Sequence, residues 1–245
     1  MIDATFFLCK PYSFGGICKI YPPTVNEVLD NFKTDIYIKI LTMSQEDIID
    51  ELSQVDEQLF ITPLQYMLFL ANENKDVERL YKEAFQFFIR EEVTFLYKQG
   101  WIVIGNLEEE LKKVKTISEL RILNEQNFFD FQNKVREAVG TKPVEFFEFD
   151  ADPRVRAMKA KARYRDKVKA KKGGLDLTTI LAAICCMGIG LTPLNIGEIS
   201  YASVSTLMET YGHKEKYDID IRSLLAGADS KKVQPEYWIA NFDKK

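Results

Sequence analysis

The chain has 245 residues, of which 46% are hydrophobic and 29% are charged, and this composition excludes a disordered chain. Lysine and arginine total 33 against 37 aspartate and glutamate residues, a formal net charge of −4. A balance this mild provides no whole-chain argument for a nucleic-acid or membrane partner. The length allows one large domain or two smaller ones.

The first elements along the chain are a hairpin and a series of helices. Two short extended runs, Thr5–Cys9 and Ile17–Tyr21, flank a turn with two glycines and predict a β-hairpin. Apolar residues three and four positions apart predict core-facing helices over Pro63–Asn72 and Val77–Ile89. Hydroxyl residues that can accept hydrogen bonds from the free amides of a first turn predict three helix starts, at Thr24, Ser44 and Thr62.

The second half of the N-terminal region carries another hairpin signal and another helix. β-Branched and aromatic residues at Val93–Tyr97 and Trp101–Ile104, separated by a short turn with Gly100, predict two paired strands. A helix capped by Asn124 is predicted to end at Gly140. We therefore expect an α+β N-terminal domain over residues 1–150.

A strongly basic segment follows this domain. Between Arg154 and Lys172 there are ten basic residues and one acid, a local charge of +9 that leaves −13 for the rest of the chain. Alanine and lysine favour a helix, but the charges surround its axis and leave little apolar face to bury. Residues 151–174 are therefore predicted to be a solvated helical linker that ends at Gly173 and Gly174.

The remaining residues, 175–245, predict a small all-α domain. Asp176 can cap a helix over Leu177–Met187, which a glycine-rich turn ends. Further helices are predicted over Asn195–Tyr211 and Tyr217–Leu225. The whole chain is thus expected to be mainly α with one or two short β-hairpins.

No residue pattern indicates catalysis, a metal site or a cofactor. His213 is the only histidine, so no second imidazole can join it in a relay or a metal site. The four cysteines lack Cys-x-x-Cys spacing, and acidic runs such as Glu108–Glu110 are interpreted as solvated helix starts. We expect a protein that is not an enzyme, without a cofactor or bound metal.

The cysteines, the N-terminal residues and one apolar run also indicate where in the cell the protein is located. Cysteines in apolar runs favour a reducing compartment, and Asp3 stands where a signal peptide would be basic. The dense apolar run Ile180–Met187 is too short to span a bilayer and predicts a buried helix. We therefore expect a cytoplasmic protein with no membrane partner.

The basic segment is the first candidate partner-binding region. It could neutralise phosphates, or it could be a soluble linker or a docking arm for an acidic partner. The second interpretation is favoured, because the acidic remainder of the chain would repel nucleic acid. The candidate residues in this segment are Arg154, Arg156, Arg163, Arg165, Lys167 and Lys169.

Two stretches resemble a known family. Ile17–Phe32 (ICKIYPPTVNEVLDNF) and Lys39–Ile48 (KILTMSQEDI) resemble the opening of small proteins encoded beside the tape-measure gene in long-tailed phages of Gram-positive bacteria. Ile180–Glu209, with an apolar helix, a glycine-rich turn and a second helix, resembles the C-terminal domain of phage tail assembly chaperones.

The resemblance implies a function in virion morphogenesis, in the host cytoplasm if a phage encodes the protein. In that family the N-terminal part coats the helical tape-measure protein, the C-terminal part recruits tail-tube subunits, and ribosomal frameshifting sometimes produces a longer form. Self-association on the client is a further expectation. An aromatic groove that grips an amphipathic helix would be the expected mode, although such residues more often belong to a core; the candidates are Phe69, Tyr81, Phe85, Phe88, Phe128 and Phe129.

Two alternatives remain open at this point. One is a nucleic-acid-binding or regulatory protein that uses the basic segment and a helix–turn–helix-like C-terminus, although Ser200–Ser203 lacks the side chains usual in a recognition helix. The other is a structural component of the virion, such as a tail completion protein.

Overall fold

The computed structural model describes residues 3–51, 62–114, 116, 119–144, 154–155, 158, 161–162, 165, 176–229 and 231–237. The described residues are 58% helical and form two small antiparallel sheets, of two and three strands. This confirms the predicted mainly α fold with short β-hairpins. We call residues 3–144 the N-terminal body and residues 176–229 the C-terminal module; the domain boundaries expected from the sequence stay a prediction.

The elements follow one another in this order. The helices of the N-terminal body are α1 (Ala4–Phe7), α2 (Val25–Asp30), α3 (Thr34–Leu41), α4 (Gln45–Glu51), α5 (Pro63–Glu73), α6 (Lys75–Ile89), α7 (Leu107–Lys113) and α8 (Phe128–Ala138). Its strands are β1 (Tyr12–Phe14), β2 (Cys18–Ile20), β3 (Val93–Leu96), β4 (Trp101–Ile104) and β5 (Ile122–Leu123). The C-terminal module contains α9 (Leu177–Cys186), a 3-10 helix (Ile196–Glu198) and α10 (Tyr201–Leu225).

The predicted hydroxyl caps are present at three helix starts. The side-chain oxygens of Thr24, Ser44 and Thr62 each accept a hydrogen bond of 3.2 Å from the backbone amide three residues later. At Thr24 the reciprocal bond also forms, since its backbone amide donates to Glu27 at 2.8 Å. These caps satisfy amides that a first helical turn leaves without an intrahelical partner.

The predicted strand Thr5–Cys9 is wrong, although a hairpin does form nearby. Asp3 accepts a hydrogen bond from the Thr5 amide at 2.8 Å and caps the short helix α1. Gly15 and Gly16 adopt φ values of 54° and 74°, which place the turn directly after Phe14. The first strand is therefore β1, which pairs with β2 through Phe14 and Cys18.

The second predicted hairpin is confirmed. β3 and β4 pair from Val93 opposite Ile104 to Leu96 opposite Trp101. A two-residue strand, β5, extends this sheet by pairing Leu123 with Ile102. Its two residues are too short a run to predict from alternation.

The main core lies between α6, α8 and the three-stranded sheet. Phe85 of α6 is fully buried, and its ring centroid lies 5.7 Å from that of Phe131 and 6.2 Å from that of Phe95. Phe6 of α1 and Phe88 of α6 are also fully buried in this core. Apolar side chains from both sheets and most helices of the body thus share one core.

The predicted break between the last two helices is wrong. α10 runs without interruption from Tyr201 to Leu225 and includes Gly212. A side-chain contact bridges the glycine, since Tyr211 donates to Glu215 at 2.9 Å, and Lys214 pairs with Asp218 at 3.3 Å in the next turn. Pairs four residues apart support a helix, and a single glycine lowers helix stability without ending it.

This continuity leads to a stability prediction. Gly212→Ala is expected to raise the free energy of unfolding of α10 by about 0.5–1 kcal/mol, because glycine has the larger conformational freedom to lose. A Cβ atom at Gly212 would meet no atom within 4 Å. Far-UV circular dichroism during urea unfolding provides the measurement.

The matched control is Gly190→Ala. Gly190 also has open space around it, but its φ is +83°, which an alanine adopts only with strain. This variant should lose stability. A loss at Gly212 as well would contradict a continuous α10.

Candidate protein-interaction surface

The predicted aromatic groove is not a surface in the folded chain. Tyr81, Phe85, Phe88 and Phe128 are 4%, 0%, 0% and 2% exposed and belong to the main core. Phe129 is half-buried. As folded, four of the six aromatic candidates cannot contact a docked helix, because they are buried. Helical periodicity in a sequence marks an apolar face but does not show what covers it.

Phe69 differs from the other aromatic candidates. It lies on α5 with 58% of its surface exposed, while Leu64, Met67 and Leu68 of the same helix are buried. An exposed aromatic ring remains available for partner contact. Phe69 thus stays a candidate, but the four buried aromatic residues do not join it on the surface.

The basic candidates are only partly within the described residues. Arg154 and Arg165 are helical and exposed, as are Val155, Met158 and Lys161. Arg156, Arg163, Lys167 and Lys169 lie outside the described residues. The helical prediction holds at the described positions, and the binding role of the segment stays a prediction.

A different apolar surface surrounds the turn between α2 and α3. Leu29, Phe32 and Ile36 are 55%, 89% and 45% exposed, and we call these three residues the α2–α3 patch. They fall within eight residues of sequence. Exposed large apolar side chains this close together in sequence are a candidate site of protein contact.

The patch is held in place by the elements around it. Asn31 makes the turn, since its side-chain oxygen accepts from the Lys33 amide and its carbonyl accepts from the Thr34 amide, both at 3.0 Å. Lys33 and Tyr37 both donate to Glu83 of α6, at 2.7 and 2.9 Å. These bonds fix the exposed face of α3 while its buried face packs on α6.

The pKa values of Glu83 and Tyr37 agree with these hydrogen bonds. The hydrogen bond from Lys33, followed by that from Tyr37, lowers the pKa of Glu83. Burial, helped by the bond to Glu83, raises the pKa of Tyr37. At neutral pH, Glu83 is thus an anion that holds a lysine cation and a neutral phenol next to the patch.

The other end of α2 contacts the C-terminal module. Val25 is fully buried in a second core with Ile184, Ile196 and Val204. Its amide donates to the Ile199 carbonyl at 3.0 Å, and the Tyr201 amide donates to the Pro23 carbonyl at 2.8 Å. The two parts are therefore in direct contact, through main-chain pairing as well as apolar packing.

Two glycines allow the backbones to approach closely at this contact. A Cβ atom on Gly197 of the module would overlap the side-chain amide of Asn26 of the body. A Cβ atom on Gly140 of the body would lie 3.0 Å from the Ala202 carbonyl oxygen of the module. The contact therefore depends on the shape of both parts.

The start of α10 is covered by this contact. Ser200, Ala202 and Ser203 are 1%, 0% and 3% exposed. A recognition helix of a helix–turn–helix protein presents its N-terminal residues to the major groove. In the docked arrangement the start of α10 is not accessible for that role.

Burial disfavours the thiolate form of two cysteines. Burial raises the pKa of Cys18 to about 12 and also raises the pKa of Cys9. A thiol with a raised pKa is protonated and a poor nucleophile at neutral pH. Among the described residues, no group of three histidine, cysteine, aspartate or glutamate side chains could hold a metal ion.

Comparison with known proteins connects the C-terminal part with phages. Residues 167–243 match the phage-associated family described as the YomV second domain. The matched range includes the whole C-terminal module, and it points to a phage protein. No curated protein and no solved structure matches the chain. In the part of the chain that the structure describes, no helix is long and apolar enough to cross a membrane.

Proposed function

We propose that this protein is a phage tail assembly chaperone that acts through protein–protein contacts. Its client is the tape-measure protein of the same phage, and its C-terminal module recruits tail-tube subunits. The observation that carries the proposal is the exposed α2–α3 patch, with Phe32 89% exposed. The similarity of residues 167–243 to a phage-associated domain supports the phage setting.

The chemistry of the patch suits a helical client. Leu29, Phe32 and Ile36 offer aliphatic and aromatic side chains that an amphipathic helix can cover with its apolar face. The hydrogen bonds around Asn31 and Glu83 hold the patch in position before a client binds. A preformed surface reduces the ordering cost of association.

The proposal predicts the effect of one substitution. Phe32→Ser should weaken client binding by about 2 kcal/mol, roughly thirtyfold in affinity, since aromatic anchors carry much of the energy of such contacts. The free energy of unfolding should change by no more than about 0.5 kcal/mol, because the side chain is on the surface. Co-expression with the tape-measure protein, followed by size-exclusion chromatography with light scattering, measures complex formation.

The matched control is Leu111→Ser. Leu111 of α7 is 49% exposed but lies outside the α2–α3 patch, so this variant should keep the complex. A soluble complex that forms equally well with Phe32→Ser would contradict a client site at the patch. If the wild-type chain and the tape-measure protein elute separately, the chaperone proposal itself fails.

Two further measurements separate the alternatives. Charge reversal of Arg163, Arg165, Lys167 and Lys169 would abolish binding to a DNA or RNA probe if the basic segment binds nucleic acid, whereas client binding should largely survive. Mass spectrometry of purified virions distinguishes a chaperone, which is absent from the mature particle, from a structural tail protein, which is present.

A further inference from the structure

The C-terminal module has a core that its own residues do not complete. Ile184, Ile196 and Val204 are buried around a side chain from the N-terminal body, Val25. Val25 in turn belongs to this second core and is not part of the main core of the body. The core of the module is therefore completed by α2 of a body, and the main core of the body includes one small side chain of the module, Ala202.

The docking site is specific for this sequence. Thr24 and Ser200 form a single antiparallel bridge, so the segment Ile199–Tyr201 is held on the body by two main-chain hydrogen bonds. Gly197 accommodates Asn26, and Gly140 accommodates Ala202. A docking site with main-chain pairing and such close approaches accepts a partner of matching shape. Every copy of this chain contains such a partner, because every copy contains the module.

The contact also has features of a separable interface. The hydroxyl of Ser200 is buried at the bridge without a hydrogen-bond partner, and a buried hydroxyl without a partner weakens the docked state. The second core has four buried apolar side chains, and two of them, Val25 and Ile184, are fully buried. A contact of this kind permits relative motion of the parts it joins, unlike a large apolar interface.

The connection between the parts is long. Residues 145–175 separate the last residue of the body from the module, and this length spans at most about 100 Å when fully extended. A module released from its own body can therefore reach the body of a neighbouring molecule.

We propose that the C-terminal module exchanges between two copies of this chain, with Val25 of one copy completing the module core of the other. Two chains then associate through the contact seen here within one chain. The proposal does not rest on the function in tail assembly, and it names a second copy of this chain as the partner of the docking site.

A complementation experiment tests the exchange. Val25→Asp damages the docking site of the body, and Val204→Asp damages the module, because each places a charge in an apolar core. Each variant alone should be a monomer near 28.3 kDa with a folded body. In an equimolar mixture, the intact body of one variant can hold the intact module of the other, so light scattering should show a mass of about twice that value.

A substitution on the exposed surface of the module provides the control. Leu194→Asp changes a module residue that is 96% exposed and should not form heterodimers with either variant beyond the wild-type level. A mixture of the two damaged variants that stays monomeric overturns the proposal. Global unfolding of Val25→Asp also overturns it, because the body would then depend on the docked module.

Hydrogen exchange on the wild-type chain provides an independent measurement. If the module separates, the amides of the first half of α10 should exchange at least about tenfold faster than those of α6, through an opening smaller than global unfolding. Exchange of both helices only through global unfolding would show a single inseparable unit and overturn the proposal.

Discussion

Phe85→Ala is expected to lower the free energy of unfolding by about 3–5 kcal/mol, the usual cost of removing a buried phenylalanine ring. The ring is fully buried and contacts Phe131 and Phe95. Its loss leaves a cavity between α6, α8 and the sheet, which the close-packed surroundings fill only in part. Urea unfolding followed by circular dichroism measures the change.

The control for this variant is Phe69→Ala. Phe69 is 58% exposed, so its truncation should change stability by no more than about 0.5 kcal/mol. The two variants distinguish core from surface among the aromatic candidates. Phe85→Ala should change stability, whereas Phe69→Ala can change partner binding. A loss below about 1 kcal/mol for Phe85→Ala would contradict its place in the core.

Arg121→Met is expected to cost about 3 kcal/mol, because it leaves a buried carboxylate with a weaker set of partners. The Arg121 guanidinium donates to Glu110 at 3.2 Å and to Glu91 at 2.8 Å. The Glu110 side chain is 7% exposed. Lys113 pairs with Glu110 at 2.9 Å and is expected to keep this contact in the variant, so the loss of unfolding free energy should be near the lower end for a broken buried pair.

A surface ion pair provides the control. Arg79 pairs with Asp76 at 3.1 Å, but their side chains are 72% and 83% exposed, so Arg79→Met should change stability by less than about 1 kcal/mol. A double-mutant cycle with Glu110→Gln then measures the coupling to Arg121 directly. Equal losses of unfolding free energy in Arg79→Met and Arg121→Met would contradict a special role for the buried carboxylate of Glu110.

The same carboxylate makes stability depend on pH. The hydrogen bond from Lys113 lowers the pKa of Glu110 below its ordinary value of 4.5, burial opposes this change, and Arg121 adds to the lowering. A lowered folded-state pKa contributes stability that is fully present above 4.5 and is lost as the pH falls through the folded-state pKa. The Glu110→Gln variant should therefore lose less stability than the wild type over that acidic range.

Features that depend on neighbouring residues were predictable. The caps at Thr24, Ser44 and Thr62 each need an amide three residues away, and both hairpin turns need glycines with positive φ, such as Gly15 and Gly100. The strand predicted at Thr5–Cys9 failed for a local reason as well, since Asp3 caps a helix there. Short segments can satisfy both patterns, and the cap decides between them.

The candidate site was much less predictable. Helical spacing identified the apolar faces of α6 and α8, but it did not show that these faces bury one another and leave Phe32 on the surface. Glu110 was interpreted as a solvated acid, and it is buried because Arg121, eleven residues later, is folded against it. The signal that could have found the α2–α3 patch is three large apolar residues around a turn rather than on a regular helix face.

The amino-acid order was sufficient for the helix starts, the turns, the basic segment and the mainly α class, because capping, glycine conformation and charge act over a few residues. Only the tertiary structure decided which apolar faces stay exposed and that Val25 completes the core of a module about 160 residues further along. Burial is a property of what packs against a side chain, and these partners are distant in sequence.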